Sequence, residues 1–349
     1  MGLFPFPVIA NGLAKQLCLK NFPQLPGIVE VVNGTEGTTN SVAVEDSSAV
    51  EWAVLKRDHW AYASLLQAIL KSKLSPKDCI AKAVSASSTD NYPDESVVNT
   101  LNPRDRFIRR ASHWSSKGQS NPDVPETLVY KLSAGIWVIT EVDIQPFEAF
   151  FQMGKPIYSA KFVRFRMGHL KSPREIGDDL QCLPLQKPND DDKFVWTYTS
   201  PQFPMTQASK VLSENCLQPF KLPDPVLCVG GYMQIELLGR VQRQEIDGLF
   251  YICVCYVRVL GRPLFPAFDM EILEPNGELL LKFHPKNLNC VLQNSSRDEI
   301  PELRHLEEKM WDRIGLLEDL LRGIQQGPNN ALALEEDEEE DGMDADLVP

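Results

Sequence analysis

Two periodicities divide the chain. Up to about residue 85, apolar side chains recur at helical steps of three and four. Ile9, Leu13, Leu17 and Phe22 mark a short amphipathic segment in VIANGLAKQLCLKNF, which Pro23 and Pro26 end. Residues 33–48 are rich in Gly, Thr and Ser and predict a loop or linker. EWAVLKRDHWAYASLLQAILKSK, from 51 to 73, then places Trp52, Leu55, His59, Tyr62, Leu66 and Ile69 on one stripe of a helix. Ser75 as N-cap and Pro76 at the first helical position predict a further short helix through about Val84.

From Ala86 onward the period is two. LVYKL (128–132), IWVITEVDI (136–144), PIYSAKFVRFRM (156–167), KFVWTY (193–198), YMQIELLGRV (232–241) and LFYICVCYVRVL (249–260) all have the pattern of strands. In the third, Val163, Phe165 and Met167 alternate with Arg164 and Arg166, which predicts one buried and one charged face. Asp247-Gly248 in QEIDG supplies the turn of a hairpin joining the last two. Strands separated by turns, with no helices between them, predict an antiparallel β-sandwich rather than a parallel βαβ sheet. ELLLKF (278–283) adds a strand outside it, while 180–192 and 200–207 are acidic or Pro-rich loops. ELRHLEEKMWDRIGLLEDLLRGIQ, residues 302–325, is an amphipathic helix expected either to fold back or to meet a partner, and an acidic tail follows.

Charge adds one exclusion. The formal net charge is −13, but residues 331–349 hold nine acids and no Lys or Arg, leaving 35 basic against 39 acidic residues before them. That balance gives no basic face for nucleic acid. Eight cysteines occur without a CxxC pair, and Cys253 and Cys255 alternate onto one strand face. A reduced intracellular setting, in cytoplasm or nucleus, is the expectation. MGLFPFPVIANGLAKQLCL has too short an apolar stretch for a signal peptide or membrane span, and Phe6 stands where a myristoylation motif needs Ser or Thr.

Candidate chemistry is sparse, and no cofactor is expected. The five histidines are dispersed without metal-ligand spacing, Ser115 lacks a GxSxG context, and no multi-carboxylate loop stands out, Asp90 and Asp94 being the nearest to a calcium site. The paired glycines of VGGY (229–232) lead into a strand and imply a tight bend, not a phosphate cradle. Recognition is therefore sought in loops. Were the sandwich of the discoidin type, Ser87–Pro103 and Ala111–Pro125 would converge at one end and bring together Arg109, Trp114, Ser115 and Lys117. Trp114 is expected to plug the sandwich end, with its polar neighbours lining a mouth. Arg104, Arg106, Arg109 and Arg110 fit either an anion site or ion pairs with Asp105, Asp90 and Glu95, and Arg164 with Arg166 form a second candidate surface.

Several segments resemble a family of plant F-box proteins that carry a galactose-binding-like, discoidin-type jelly roll. They are IANGLAKQLCLKNFPQL, SASSTDNYP, RRASHWSSKGQ, PFEAFFQMGKPIYSAKFVRFRMGHLK, WTYTSPQFPM and FKLPDPVLCVGGYMQIELLGRVQRQEIDGLFYICVCYVRVLGRPL, spanning roughly 8–272. The resemblance and the residue pattern together imply five regions: an F-box remnant (1–32), a helical linker region (33–85), the galactose-binding-like sandwich (86–272), a strand with an amphipathic helix (273–327) and a disordered acidic tail (328–349). The resemblance also implies a non-catalytic substrate receptor of an SCF (cullin–RING) ubiquitin ligase. Its partners would be a Skp-type adaptor with its cullin, contacted through Ile9, Leu13 and Leu17, and a target protein or glycan held by the jelly roll. Only the final stretch of the F-box pattern is seen here, so a truncated gene model or splice form, with impaired adaptor binding, is also an expectation. The alternative class is a stand-alone module that binds carbohydrate or peptide without ubiquitin chemistry.

Overall fold

A computed structural model describes residues 9, 11–25, 27–33, 47–103, 111–172, 185–186, 190–206, 217–273 and 278–292. Two helices and a strand come first: α1 (Leu13–Asn21), β1 (Ile28–Asn33) and α2 (Ser47–Lys71). The amphipathic pattern of α2 is met, with His59, Tyr62, Leu66 and Ile69 buried. Helix α1 packs against it through Ala14 and Cys18, and the Cys18 thiol donates to the Tyr62 carbonyl at 3.3 Å.

The sandwich strands follow in order: β2 (Lys77–Asp78), β3 (Ile80–Ala86), β4 (Trp114–Ser115), β5 (Glu126–Leu132), β6 (Ile136–Glu148), β7 (Ile157–Tyr158), β8 (Ala160–Leu170), β9 (Leu185–Gln186), β10 (Phe194–Thr199), β11 (Phe203–Pro204), β12 (Gln218–Val229), β13 (Tyr232–Arg240), β14 (Gln242–Arg243), β15 (Phe250–Tyr251) and β16 (Cys253–Pro263). One sheet has the order β10-β8-β13-β5-β3-β9, with β11 on β8; the facing sheet has β12-β6-β16-β2, with β4 on β16 and β7 on β6. Apart from the short β3–β9 pair the ladders are antiparallel, and the architecture is the galactose-binding-like jelly-roll sandwich. Trp114, Tyr130, Trp137, Phe165 and their neighbours fill the space between the sheets. Val163, Phe165 and Met167 point inward and Arg164 with Arg166 outward, as the alternation requires.

Two expectations need correcting: the helix at Ser75–Val84, and the loops 180–192 and 200–207, in which the short strands β9 and β11 form. The segment from Ser75 to Val84 is not helical: β2 and β3 occupy it, so sandwich strands begin ahead of Ala86. Tertiary pairing overrides the cap signal here, because β2 pairs β16 and β3 pairs β5, while the Cys79 amide donates to the Val259 carbonyl at 3.0 Å. Conversely, β12 forms although Pro219, Pro223 and Pro225 lie in it. It is an edge strand with a register irregularity between Lys221 and Val226, where proline costs little.

A third, smaller sheet joins the two ends of the described chain. β17 (Phe268–Leu273) pairs β18 (Glu278–Phe283), and β18 pairs β1 in parallel, with α3 (Leu288–Leu292) following. Segments assigned from sequence to 1–32 and 273–327 thus share one sheet. Arg262, fully buried at the end of β16, fastens α2 to the sandwich: its guanidinium donates to the Ser72 carbonyl at 2.7 Å and the Ile69 carbonyl at 2.8 Å. Those carbonyls at the helix end would otherwise lack partners. The segment 302–325, expected to be helical, and the acidic tail lie outside the described residues.

Candidate functional site

The two loops do meet. The Asp90 amide donates to the Ser115 carbonyl at 3.0 Å, and the Trp114 indole N–H to the Ser88 carbonyl at 3.0 Å. The Lys117 amide donates to Ser88 Oγ at 3.0 Å, and the Asn99 amide group to the His113 carbonyl at 3.0 Å. Beneath them lies an ion pair that the sequence does not advertise. Arg240, at the end of β13, is fully enclosed and pairs with Glu126, which is 2% exposed. The guanidinium also donates to Ser116 Oγ at 2.8 Å and to the carbonyls of Lys117 (3.0 Å), Phe250 (3.1 Å) and Val124 (3.2 Å). Ser87 donates to the second Glu126 oxygen, so one buried charge pair ties both loops to the hairpin at Phe250.

Trp114 and Ser115 are buried, so the loop cluster presents Lys117 to solvent while Trp114 packs in the core as expected. Arg104, Arg106, Arg109 and Arg110 lie outside the described residues. Arg164 and Arg166 stand elsewhere, mid-strand on β8, where both pair with Glu236 of β13; the Arg166 Nε to Glu236 distance is 3.2 Å. Ile9, Leu13 and Leu17 are half-buried, whereas Ala14 and Cys18 form the covered face of α1. Cys253 and Cys255 border one apolar cluster, in keeping with their alternation.

His113 is stacked on Phe147 at 3.8 Å, and burial pushes its pKa down from 6.5 to about 4. Its neighbour Glu95, 3.9 Å away, is pushed upward by burial and by Asp90 and Asp94. The unfolded chain therefore takes up a proton at His113 before the fold does. Stability from this site is full above pH 6.5 and drains as pH falls toward 4, while the raised Glu95 opposes the trend. His113→Gln should flatten the decline of melting temperature across that window. An unchanged slope would show that another group governs it.

One concave feature was not foreseen. An open cleft of about 450 Å³ lies between the β5–β6 turn, the Gly230-Gly231 turn and β17. Both glycines have positive φ, and a Cβ on Gly231 would come within 2.6 Å of the Ala134 carbonyl oxygen, so the bend expected of VGGY also forms part of the cleft wall. Lys131 Nζ lies 5.8 Å from the Tyr232 ring centroid, and Phe265 and Asp269 are among the other lining residues. An aromatic wall beside one cation and one carboxylate suits a ligand with an apolar face and a hydrogen-bonding edge. Its residues come from four separate segments, 131–135, 170, 230–232 and 265–272, so periodicity could not assemble it. Among the described residues no group of His, Cys, Asp and Glu could hold a metal ion, and no helix is long and apolar enough to cross a membrane.

The described residues thus form a jelly roll with braced end loops and one open cleft beside the Gly230-Gly231 turn. The chain belongs to the family of the F-box protein At4g00755 of Arabidopsis thaliana, to which it is 46% identical over 280 residues, 79% of this chain and 72% of that protein. No protein-family model matches it. Solved structures similar to it include a family 32 carbohydrate-binding module, CBM32-3, from a family 31 glycoside hydrolase of Clostridium perfringens (10% identity, TM-score 0.31, 52% of this chain and 90% of that one). Another is chitosan-binding module 1 of a chitosanase/glucanase from Paenibacillus sp. IK-5 (9% identity, TM-score 0.32, 52% and 98%). At TM-scores near 0.3 these likenesses say nothing of what this sandwich binds.

Proposed function

We propose that the protein is a non-catalytic substrate receptor of an SCF-type ubiquitin ligase, acting in the cytoplasm or nucleus. Its N-terminal helical part meets a Skp-type adaptor, and its jelly roll recognises a target protein or glycan. One observation carries the reading: identity to an F-box protein extends over 280 residues, well beyond the length of the N-terminal helix. The half-buried stripe Ile9, Leu13 and Leu17 supports the adaptor contact, because it leaves apolar side chains partly open beside the face that α1 uses internally.

The test is affinity purification of the full chain from cells, followed by detection of adaptor and cullin. Leu13→Glu combined with Leu17→Glu should cut adaptor recovery about tenfold or more, with a small change in melting temperature. Absence of adaptor from purifications of both this chain and its Arabidopsis relative would overturn the ligase reading. Glycan or peptide binding without ligase subunits would establish the stand-alone module instead.

A further inference from the structure

The open cleft beside the Gly230-Gly231 turn has a strand edge for one wall. β17 pairs β18 on one side, and among the described residues no strand lies on the other. Three hydrogen bonds fix which main-chain groups face that open side. The Ala267 carbonyl accepts the His284 amide at 2.8 Å and so points toward the β18 segment. The Phe268 amide instead donates to the Leu264 carbonyl at 3.0 Å, and the Met270 amide to Asp269 Oδ1 at 2.8 Å, so both point away from it. Strand alternation then turns Asp269, Glu271 and Leu273 inward to β18 and leaves Ile272, like Met270, facing outward.

The two outward residues are treated differently. At Met270 the edge is closed. The neighbouring carboxylate takes its amide, and the β5–β6 turn comes down on it: a Cβ on Gly135 would lie 3.4 Å from Met270 Cβ and 3.6 Å from its carbonyl oxygen. At Ile272, which lines the cleft, neither the amide nor the carbonyl has a partner on the open side among the described residues. The Ile272 side chain packs with Leu170 and Tyr232, so the sandwich holds this edge in place. Around it the lining is uncommitted as well: the Lys131 ammonium meets only the face of the Tyr232 ring among the described residues, Ser133 is exposed, and Phe265 is 53% exposed. An amide and a carbonyl of one edge residue exchange two hydrogen bonds with a single residue of an added strand, so the pattern fits an extended peptide.

We propose that the cleft binds an extended peptide segment by strand addition at Ile272, with an adjoining apolar side chain of the peptide against Phe265 and Tyr232. The site lies at the other end of the sandwich from the joined loops, since β5 runs from Glu126, which anchors those loops, to Leu132 in the cleft wall. This deepens the receptor reading, on which it rests for the peptide belonging to a ligase target.

Random short peptides displayed on phage are panned on the full chain. Clones held by it but not by Ser133→Trp, which fills the cleft from an exposed position, are then made as labelled peptides. Fluorescence anisotropy follows each peptide with its main-chain amides methylated one at a time. Binding should fall about tenfold or more at one amide, or at alternate amides, and hold at those between. Ile272→Pro deletes the outward amide without taking a bond from β18 and should weaken binding by about the same factor. Ile272→Val keeps the amide and should bind as the parent does. Should the proline variant fail to fold, the methylation series decides alone. The proposal is overturned when no clone depends on the cleft, when methylation costs the same at every amide or nothing at any, or when a folded Ile272→Pro protein binds in full. Retention of an oligosaccharide and of no peptide, lost in Ser133→Trp, would overturn it too and give the cleft to a sugar. Adaptor recovery is measured separately: its absence with peptide binding intact sinks the ligase reading, and the reverse sinks only the strand-addition site.

Discussion

An Arg240→Ala protein is expected to be less stable by about 3–5 kcal/mol, measured as the urea unfolding free energy. Arg240 is fully enclosed and Glu126 is 2% exposed, so the substitution strands a carboxylate away from water. It also removes the donor to Ser116 Oγ and to the carbonyls of Lys117, Phe250 and Val124, leaving buried acceptors unpaired. Arg240→Lys should recover only part of the loss, since an ammonium cannot reproduce the planar fork that reaches these acceptors. The decisive comparison is Arg240→Met with Glu126→Leu. That pair removes both charges and should cost far less than the sum of the single variants. Additive losses would mean that the two residues do not act as a pair.

The pair shows which parts of the molecule its sequence discloses. A period of two located β8, β13 and most of β16, because each has one face against the core and one outside it. Strand β12 escaped because its prolines mimic a loop, and an edge strand can hold them. The segment at Ser75 misled because cap residues are local signals, while its conformation is set by pairing with Val259 and with β5. Pairing of β1 with β18 joins Ile28 to Leu279, a partnership that no local pattern encodes.

The same limit applies to the site. Convergence of the two loops was foreseeable only through the resemblance to a discoidin-type sandwich, and Trp114 as a plug from its size. Arg240, by contrast, resembles any solvated charge at a strand end. Its partner Glu126 lies 114 positions away, and only the fold makes them neighbours. The exposed side chains Phe150, Phe151 and Met153 likewise pass in the sequence for core residues of β6 continued. They differ only in that the chain turns after Glu148 and carries them past the sheet.

Trp114→Ala should cost roughly 3–5 kcal/mol, for a reason unlike that at Arg240. Trp114 is fully buried and packs in the main core with Val97, Ile252 and Val254. Truncation opens a cavity where the loops meet β16 and leaves the Ser88 carbonyl without the indole N–H it accepts at 3.0 Å. Trp114→Phe separates the two effects: most of the ring volume returns but the hydrogen bond does not, so its cost should fall to about 1–2 kcal/mol. Because Ser88 Oγ also accepts the Lys117 amide, loosening Ser88 should speed hydrogen exchange at Lys117 in both variants. Exchange at the strand amides of β8 should follow global stability alone. The loop effect thus stays visible even when the whole protein is weakened. A Trp114→Ala protein that loses less than about 1 kcal/mol would place this side chain outside the core. Faster exchange at Lys117 in Trp114→Ala but not in Trp114→Phe would show that ring volume, and not the bond to Ser88, holds the loops together.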